Sequence, residues 1–220
     1  SSAVGSPRVT VLDGNSEIQA EKATFTAAFN NLYGDIVEYI PNAELLSVDS
    51  VNRSVETTAG TFAGDVVNVI PNHRAPAWLR QSGLTNGGDW APVDPVTYES
   101  RVTGFRDTYV IGDAQTSGQP KSGHVANAQA KVCADAILRR SAGLPTHSEE
   151  RLANITTNSA CFSPVSFREA SWLTAVFLYN TSSGLMEAVP ESFGASEGWN
   201  SENYEDMYDW ASNLLSDTFV

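Results

Sequence analysis

The sequence predicts an α/β protein with an α+β C-terminal part: partial Rossmann-like layers, then a small antiparallel sheet and a C-terminal helix. Three observations predict this. A strand-like run, a helical run and several short alternating segments follow one another in residues 8–71. Strand, acidic turn, loop and helix come in succession at 108–140. After residue 157, three strand-like runs with turn residues between them precede a last helical run.

Composition and charge restrict the function classes. The 220 residues are 41% hydrophobic and 10% aromatic, which is typical of one or two globular domains. With 26 acidic and 13 basic residues, the net charge of −13 argues against nucleic acid or an anionic membrane surface as partner. No apolar run is long enough for a membrane span. The start has neither an initiator Met nor a signal-peptide pattern, so we expect a piece of a longer protein.

The first third of the chain reads as half of a nucleotide-binding domain. Arg8 to Asp13 predicts a strand, and Glu17 to Tyr33 predicts a helix that stops at Gly34. A small antiparallel meander or hairpin and one further apolar strand are expected next. The segments concerned are 35–41, 44–49, 53–58 and 61–63 for the meander, and 65–71 for the strand. No GxGxxG or P-loop motif occurs in the chain.

The middle third contains a pattern that can bind a ligand. A short helix is expected within 72–83 and a loop over 84–95. Thr108–Ile111 predicts a buried strand that ends at Gly112-Asp113, and Ser122-Gly123 opens a helix that runs to about residue 140. The free amides of a helix N-terminus suit an anionic or electron-rich ring edge. From the residues alone, a ligand site and an ordinary capped βα unit remain equal alternatives.

The last third is predicted to be a connector, an antiparallel sheet and a helix. Residues 141–155 carry turn signals, and strand-like runs occupy 159–167, 171–179 and 185–190. Residues 202–217 have apolar residues at helical spacing, which we expect in the core or at a subunit contact. The residues on that face are Tyr204, Met207, Tyr208, Ala211, Leu214 and Leu215.

Two motifs in the middle of the chain carry a family resemblance. The string TYVIGDA resembles the second FAD-binding motif of the two-dinucleotide-domain flavoproteins. The string PKSGHVANAQAKVCADAIL resembles the flavoprotein subunit of flavocytochrome c sulfide dehydrogenase, with Ala126, Gln129 and Lys131 among the matching positions. The resemblance implies that FAD is the cofactor, with Asp113 bonded to a ribityl hydroxyl and the helix start facing the pyrimidine ring. The implied cofactor-binding residues are Gly112, Asp113, Lys121, Ser122, Gly123 and Asn127.

Cys161 is the candidate catalytic residue. Its residue type and surroundings alone favour a small buried side chain, but the position matches one of the family's two redox cysteines. A disulfide accepts attack by hydrosulfide through thiol–disulfide exchange. In the family the partner cysteine lies N-terminal to residue 1, and we expect Cys133, in mid-helix, to be inert. His73 is predicted to be solvated or structural, and His124 a capping or exposed residue.

The resemblance implies an FAD-dependent sulfide dehydrogenase that passes electrons to a c-type cytochrome in the periplasm. The N-terminal half of the flavoprotein is then a necessary partner, and we expect this chain alone to be inactive, with no metal site. The implied division is 1–72, part of an NAD(P)-binding-like domain; 73–145, the second FAD-binding segment; and 146–220, a C-terminal flavin-binding, dimer or cytochrome-contact domain. The alternatives are a sulfide:quinone oxidoreductase-like enzyme, which the acidic C-terminus disfavours, and a non-catalytic docking module.

Overall fold

The computed structural model describes residues 7–219 of the chain. It is a mixed α/β fold, as predicted, and it divides into two compact units. Of the described residues, the first unit comprises those up to Asn72 together with Val165–Phe167 and Glu197–Trp199, and the second comprises the others. The functional division into three segments stays a prediction.

The first unit begins with a parallel βαβ arrangement. Strand β1 (Val9–Leu12) and strand β2 (Val37–Ile40) pair in parallel, and helix α1 (Lys22–Asn31) connects them. A parallel pair needs such a crossover because the chain must return to the same end of the sheet. Asp13 follows β1 and accepts hydrogen bonds from the Asn15 amide (2.9 Å) and the Tyr39 hydroxyl (2.7 Å). The carboxylate at this strand end is therefore fixed by hydrogen bonds from neighbouring residues of the first unit.

An antiparallel meander follows, and it corrects one detail of the sequence interpretation. Strands β3 (Leu45–Asp49), β4 (Ser54–Thr57) and β5 (Gly60–Ala63) pair in sequence order, as predicted. The sequence pattern predicts that residues 35–41 belong to this meander, but β2 lies beside β1 instead. The alternation of a short strand does not identify its partner.

The predicted strand at Asp65–Pro71 is wrong. These residues form bends and irregular backbone, and Val66 and Ile70 are 88% and 77% exposed. Within the described residues, no strand pairs with this segment. An apolar run forms a strand only where a neighbour supplies hydrogen bonds, which a local pattern does not reveal.

The second unit begins with short elements around an apolar core. Helix α2 (Ala77–Gln81) confirms the expected short helix, and strands β6 (Ala91–Pro92) and β7 (Gln115–Thr116) form one short parallel pair. Helix α3 (Gly123–Ser141) agrees with its predicted span, and helix α4 (Glu149–Asn154), capped by the Ser148 side chain, lies in the expected connector. The core residues here are Ala75, Leu79, Leu84, Ala91, Val93, Tyr98, Val110 and Cys133.

The predicted strand at Thr108–Ile111 is also wrong in its regular form. Tyr109 makes one isolated bridge with Glu99, and only Val110 is buried, while Ile111 is 40% exposed. The segment is extended, but it has one partial neighbour among the described residues, so no ladder forms.

The C-terminal part confirms the predicted antiparallel sheet. Strand β9 (Ala170–Asn180) is central, with β8 (Thr156–Pro164) on one side and with β10 (Leu185–Ala188) and β11 (Gly194–Ala195) on the other. Strand β8 is therefore an edge strand of this sheet. Its position matters because it carries Cys161.

Helix α5 (Ser201–Thr218) packs against β8 and β9 and confirms the predicted C-terminal helix. The Asn200 side chain accepts the Asn203 amide at 2.7 Å, a cap worth about 1 kcal/mol. Two residues of the predicted apolar face, Tyr208 and Leu215, are 58% and 56% exposed. The packed face includes Trp210 instead. At 3.6 residues per turn, positions 203, 207, 210 and 214 lie on the same side of the helix.

Candidate functional site

The turn at Gly112 is built against helix α3. Gly112 has φ +73° and opens a single 3₁₀ turn that ends at Ala114. A Cβ added to Gly112 would lie 3.7 Å from the Ala126 Cβ, so space permits a side chain but the backbone conformation disfavours one. The Gly112 amide donates to the Gln129 side chain of α3 at 2.8 Å. The predicted cofactor turn is thus fixed by the helix that follows it.

Asp113 and Lys121 flank the loop between this turn and α3. Asp113 is exposed, and its carboxylate has no hydrogen bond or ion pair with residues 7–219. Lys121 Nζ donates to the Gln115 carbonyl at 2.7 Å and lies 3.8 Å from the centre of the Trp90 ring. Burial lowers the pKa of Lys121, and the nearby charge of Asp113 opposes this in part. Asp113 is free to accept hydrogen bonds, while Lys121 is held in place.

The start of helix α3 leaves donors unsatisfied. The Ser122 hydroxyl accepts the Val125 amide at 3.3 Å, and the Ser122 carbonyl accepts the Ala126 amide at 2.9 Å. The amides of Gly123 and His124 lie ahead of these bonds and have no intrahelical acceptor. A Cβ added to Gly123 would meet no atom within 4 Å, so the helix start is open to a ligand. Its positive end suits an electron-rich group.

Asn127 contacts the C-terminal end of helix α5, not the turn at Gly112. Its Nδ2 donates to Asp217 Oδ2 and Thr218 Oγ1, both at 3.0 Å. Lys131 forms an ion pair with the same Asp217 at 2.7 Å. The hydrogen bonds from Lys131 and Asn127 lower the pKa of Asp217. Together these contacts attach the end of α5 to α3.

Two glutamines form a buried polar network behind the turn. Gln129 is 1% exposed, and its Nε2 donates to Gln119 Oε1 at 3.1 Å, while its Oε1 accepts the Gly112 amide. Gln119 connects loop, core and sheet through three further side chains. These are Tyr98 (2.9 Å) and Ser117 (3.0 Å), which donate to Oε1, and Thr157, which accepts from Nε2. The network couples the predicted cofactor turn to strand β8.

Cys161 lies on β8 opposite Leu173 of β9 and is partly exposed. Its thiol has no hydrogen bond within the described part of the chain. The preceding residue, Ala160, donates its amide to His124 Nδ1 at 3.1 Å. The next residue, Phe162, lies 5.5 Å from the Trp210 ring, centre to centre. The structure therefore brings the Cys161 strand beside the start of α3, where four predicted residues (Lys121, Ser122, Gly123 and Asn127) occur.

The other sequence candidates have simpler environments. Cys133 is buried in the core, and burial raises the pKa of its thiol, which disfavours the reactive thiolate. His73 is exposed. His124 is neither a helix cap nor fully exposed: it binds β8. Among residues 7–219, no cluster of His, Cys, Asp and Glu suits a metal ion, and no helix has the length and hydropathy needed to cross a membrane.

Residues 2–71 match the model of the family described as sulfide dehydrogenase [flavocytochrome c] flavoprotein chain, central. The chain is also similar to the crystal structure of reduced CoADR-RHD from Bacillus anthracis, with 12% identity and a TM-score of 0.48. That match covers 96% of this chain and 43% of the other, so this chain spans less than half of that relative.

A flavoprotein family implies FAD, and the residues in the second unit fit such a group. Asp113 offers an unpartnered carboxylate to ribityl-type hydroxyls, and the Gly123 and His124 amides offer donors to an electron-rich ring edge. Beside the turn, the Oε1 atom of Gln115 is buried with no hydrogen-bond partner in residues 7–219. A buried acceptor without a donor is rare in folded proteins and is consistent with a site that a ligand completes.

Proposed function

We propose that this chain forms part of an FAD-dependent sulfide dehydrogenase flavoprotein. Sulfide is oxidised at a redox disulfide that includes Cys161, and the electrons pass through FAD to a c-type cytochrome. The observation that carries this proposal is the match of residues 2–71 to the flavoprotein chain of flavocytochrome c sulfide dehydrogenase. The free carboxylate of Asp113, the open start of α3 and the nearby Cys161 strand support it.

The residues of this chain have distinct roles in holding the cofactor. Gly112 places the turn against α3, and Asp113 would accept hydrogen bonds from the ribityl chain of a bound FAD. Ser122 and Gly123 would present the helix amides to its pyrimidine edge. Lys121 adds a positive charge beside them, and Asn127 supports the site indirectly by attaching the end of α5. FAD, when bound, supplies a two-electron acceptor.

Cys161 performs the sulfur chemistry. Hydrosulfide attacks one sulfur of the disulfide, a new S–S bond forms, and the old disulfide bond breaks. The attacked cysteine becomes a persulfide, and the other leaves as a thiolate that carries the electron pair. We assign the second cysteine to another part of the flavoprotein, because Cys133 is buried in the core with a raised thiol pKa.

The cytochrome partner and a periplasmic location belong to this proposal. Helix α5 has five acidic residues and no basic residue, and the whole chain carries a net charge of −13. Such a surface attracts a positively charged partner and speeds association at low ionic strength. We therefore propose a basic cytochrome surface as the docking partner. Its association rate should fall steeply between low and physiological salt.

The experiment uses the purified flavoprotein that contains this chain. Sulfide and an oxidised c-type cytochrome are added, and cytochrome reduction is followed in the visible spectrum at two salt concentrations. We expect reduction that requires sulfide and slows as salt rises. A short-chain quinone in place of the cytochrome serves as the comparison. Faster reduction of the quinone than of the cytochrome, or no sulfide-dependent reduction of either, would contradict the proposal.

A further inference from the structure

The imidazole of His124 lies between the start of helix α3 and the edge of strand β8. Its Nδ1 accepts the Ala160 backbone amide at 3.1 Å. Its Nε2 lies 3.4 Å from the Asn158 side-chain nitrogen, and its ring packs edge-on to Trp210 at 6.0 Å. One side chain thus contacts both the edge strand and helix α5. No other residue of the α3 first turn makes such a set of contacts in the described structure.

The direction of the Ala160 bond defines the state of the ring. Because an N–H group donates to Nδ1, this nitrogen carries no proton, and the neutral ring keeps its proton on Nε2. Among the described residues, strand β8 pairs only with β9, so its outward amides need partners from outside the sheet. His124 provides one of them.

The bonded amide belongs to the residue directly before Cys161. Adjacent residues of a strand move together because the peptide bond between them is planar. Holding the Ala160 amide therefore limits the motion of the Cys161 backbone relative to α3. The first turn of α3 is also where the Gly123 amide faces the proposed flavin edge. A single imidazole thus connects the cofactor side of the site with its thiol.

We propose that His124 is a positioning residue for Cys161. It holds the thiol-bearing strand at the start of α3, and this sets the distance between the thiol and the proposed flavin. The functional consequence rests on the function proposed above. The structural part of the proposal is that the hydrogen bond from the Ala160 amide to His124 Nδ1 restrains Cys161. This part concerns only residues of this chain.

Two substitutions with side chains of nearly equal size distinguish the effect of the hydrogen-bond acceptor from the effect of the ring's packing. In His124→Asn, the Oδ1 atom occupies the position of Nδ1 relative to Cβ and can accept the Ala160 amide. In His124→Leu, a methyl group occupies this position and accepts nothing. Both variants lose the ring contact with Trp210, so the difference between them reports the hydrogen bond.

The full 220-residue chain is examined by two measurements that need neither FAD nor sulfide. Amide hydrogen exchange by NMR reports the Ala160 bond, and iodoacetamide labelling with peptide mass spectrometry reports each thiol. We expect His124→Leu to raise Ala160 exchange about fivefold, and Cys161 labelling about threefold, because the strand opens locally. His124→Asn should remain close to the parent chain. Cys133, buried in the core, is the internal reference and should not change.

Three results would overturn the proposal. His124→Leu could leave Ala160 exchange and Cys161 labelling unchanged. Both variants could accelerate labelling equally, which would assign the effect to ring packing. Labelling of Cys133 could rise in step with Cys161, which would indicate general destabilisation. Each of these outcomes leaves the sulfide dehydrogenase proposal standing, and loss of sulfide oxidation in the parent protein would leave the restraint on Cys161 standing.

Discussion

Replacing Gln129 by Met should destabilise the second unit through the polar network behind the turn at Gly112. Met has the same unbranched length as Gln but has no amide, so packing along α3 is nearly preserved. The substitution removes the acceptor of the Gly112 amide and one donor to Gln119. The Gln119 oxygen keeps its two hydroxyl donors, but the Gly112 amide is left without a partner.

The expected cost follows from that one unsatisfied donor. Leaving a buried polar group unpaired costs about 1–3 kcal/mol, so we expect a loss of about 2 kcal/mol in the free energy of unfolding. For a chain of this length, that corresponds to a fall in Tm of about 4–8 °C.

Thermal and urea unfolding by circular dichroism measure this cost. Gln81→Met is the matched control, because Gln81 is an exposed helical glutamine and its substitution should change stability by less than about 0.5 kcal/mol. If Gln129→Met and Gln81→Met have equal stability, the network does not hold the turn. The reasoning about Gly112 would then be refuted.

Three further changes have expected outcomes. Gln115→Met should cost under about 1 kcal/mol in urea unfolding, because it removes one hydrogen bond to the Gly112 carbonyl but also a buried acceptor that has no partner. The Arg151 guanidinium, followed by Arg139, holds the pKa of Asp135 below its usual 3.8. This stabilisation is present above pH 3.8 and disappears as the pH falls through the lower folded-state pKa, so Asp135→Asn should flatten acid unfolding curves there. Gly118→Ala should cost about 2 kcal/mol more than Gly104→Ala, by thermal unfolding.

The glycine pair isolates one contact. Both residues have positive φ, +89° and +95°, so the backbone strain of an added Cβ is shared. At Gly118 the Cβ would lie 2.6 Å from the Met186 carbonyl oxygen, whereas at Gly104 it meets nothing within 4 Å. Equal costs for the two variants would contradict the close approach. A Gln115→Met cost above that of Gln129→Met, or an unchanged acid profile in Asp135→Asn, would contradict the other two predictions.

Local signals in the sequence were sufficient for the elements whose ends and periodicity are encoded nearby. Ser122 caps α3 as its position suggested, and Gly123 begins the helix. The C-terminal sheet and helix were predicted because turn residues separate strands of regular length. In both cases the residues that define the element lie within one or two turns of it.

Pairing between distant segments was not predictable. The runs at 65–71 and 108–111 have strand-like composition, yet neither forms a ladder with a neighbouring strand in the part of the chain that the structure describes. Conversely, β2 pairs with β1 across a helix. A short segment carries its own alternation of side chains but does not specify its partner.

The candidate site likewise has a part that local sequence predicts and a part that depends on contacts between distant residues. The turn at Gly112 and the start of α3 were evident from the sequence, because they are contiguous motifs. The links from His124 to Ala160 and from Gln119 to Thr157 span 36 and 38 residues and were not foreseen. His124 was predicted to be a cap or an exposed side chain, since nothing near it in sequence indicates that a strand returns to its imidazole.

Sulfide reduction of the flavin band in Cys161 variants tests the central claim most directly. The flavoprotein that contains this chain is mixed with sulfide without oxygen, and bleaching of the flavin absorption is followed. Cys161→Ser should abolish bleaching, because serine cannot form the disulfide that hydrosulfide attacks. Cys133→Ser is the control and should bleach at the parent rate, since the proposed reaction does not use this core residue. Bleaching at the parent rate in Cys161→Ser would contradict the account.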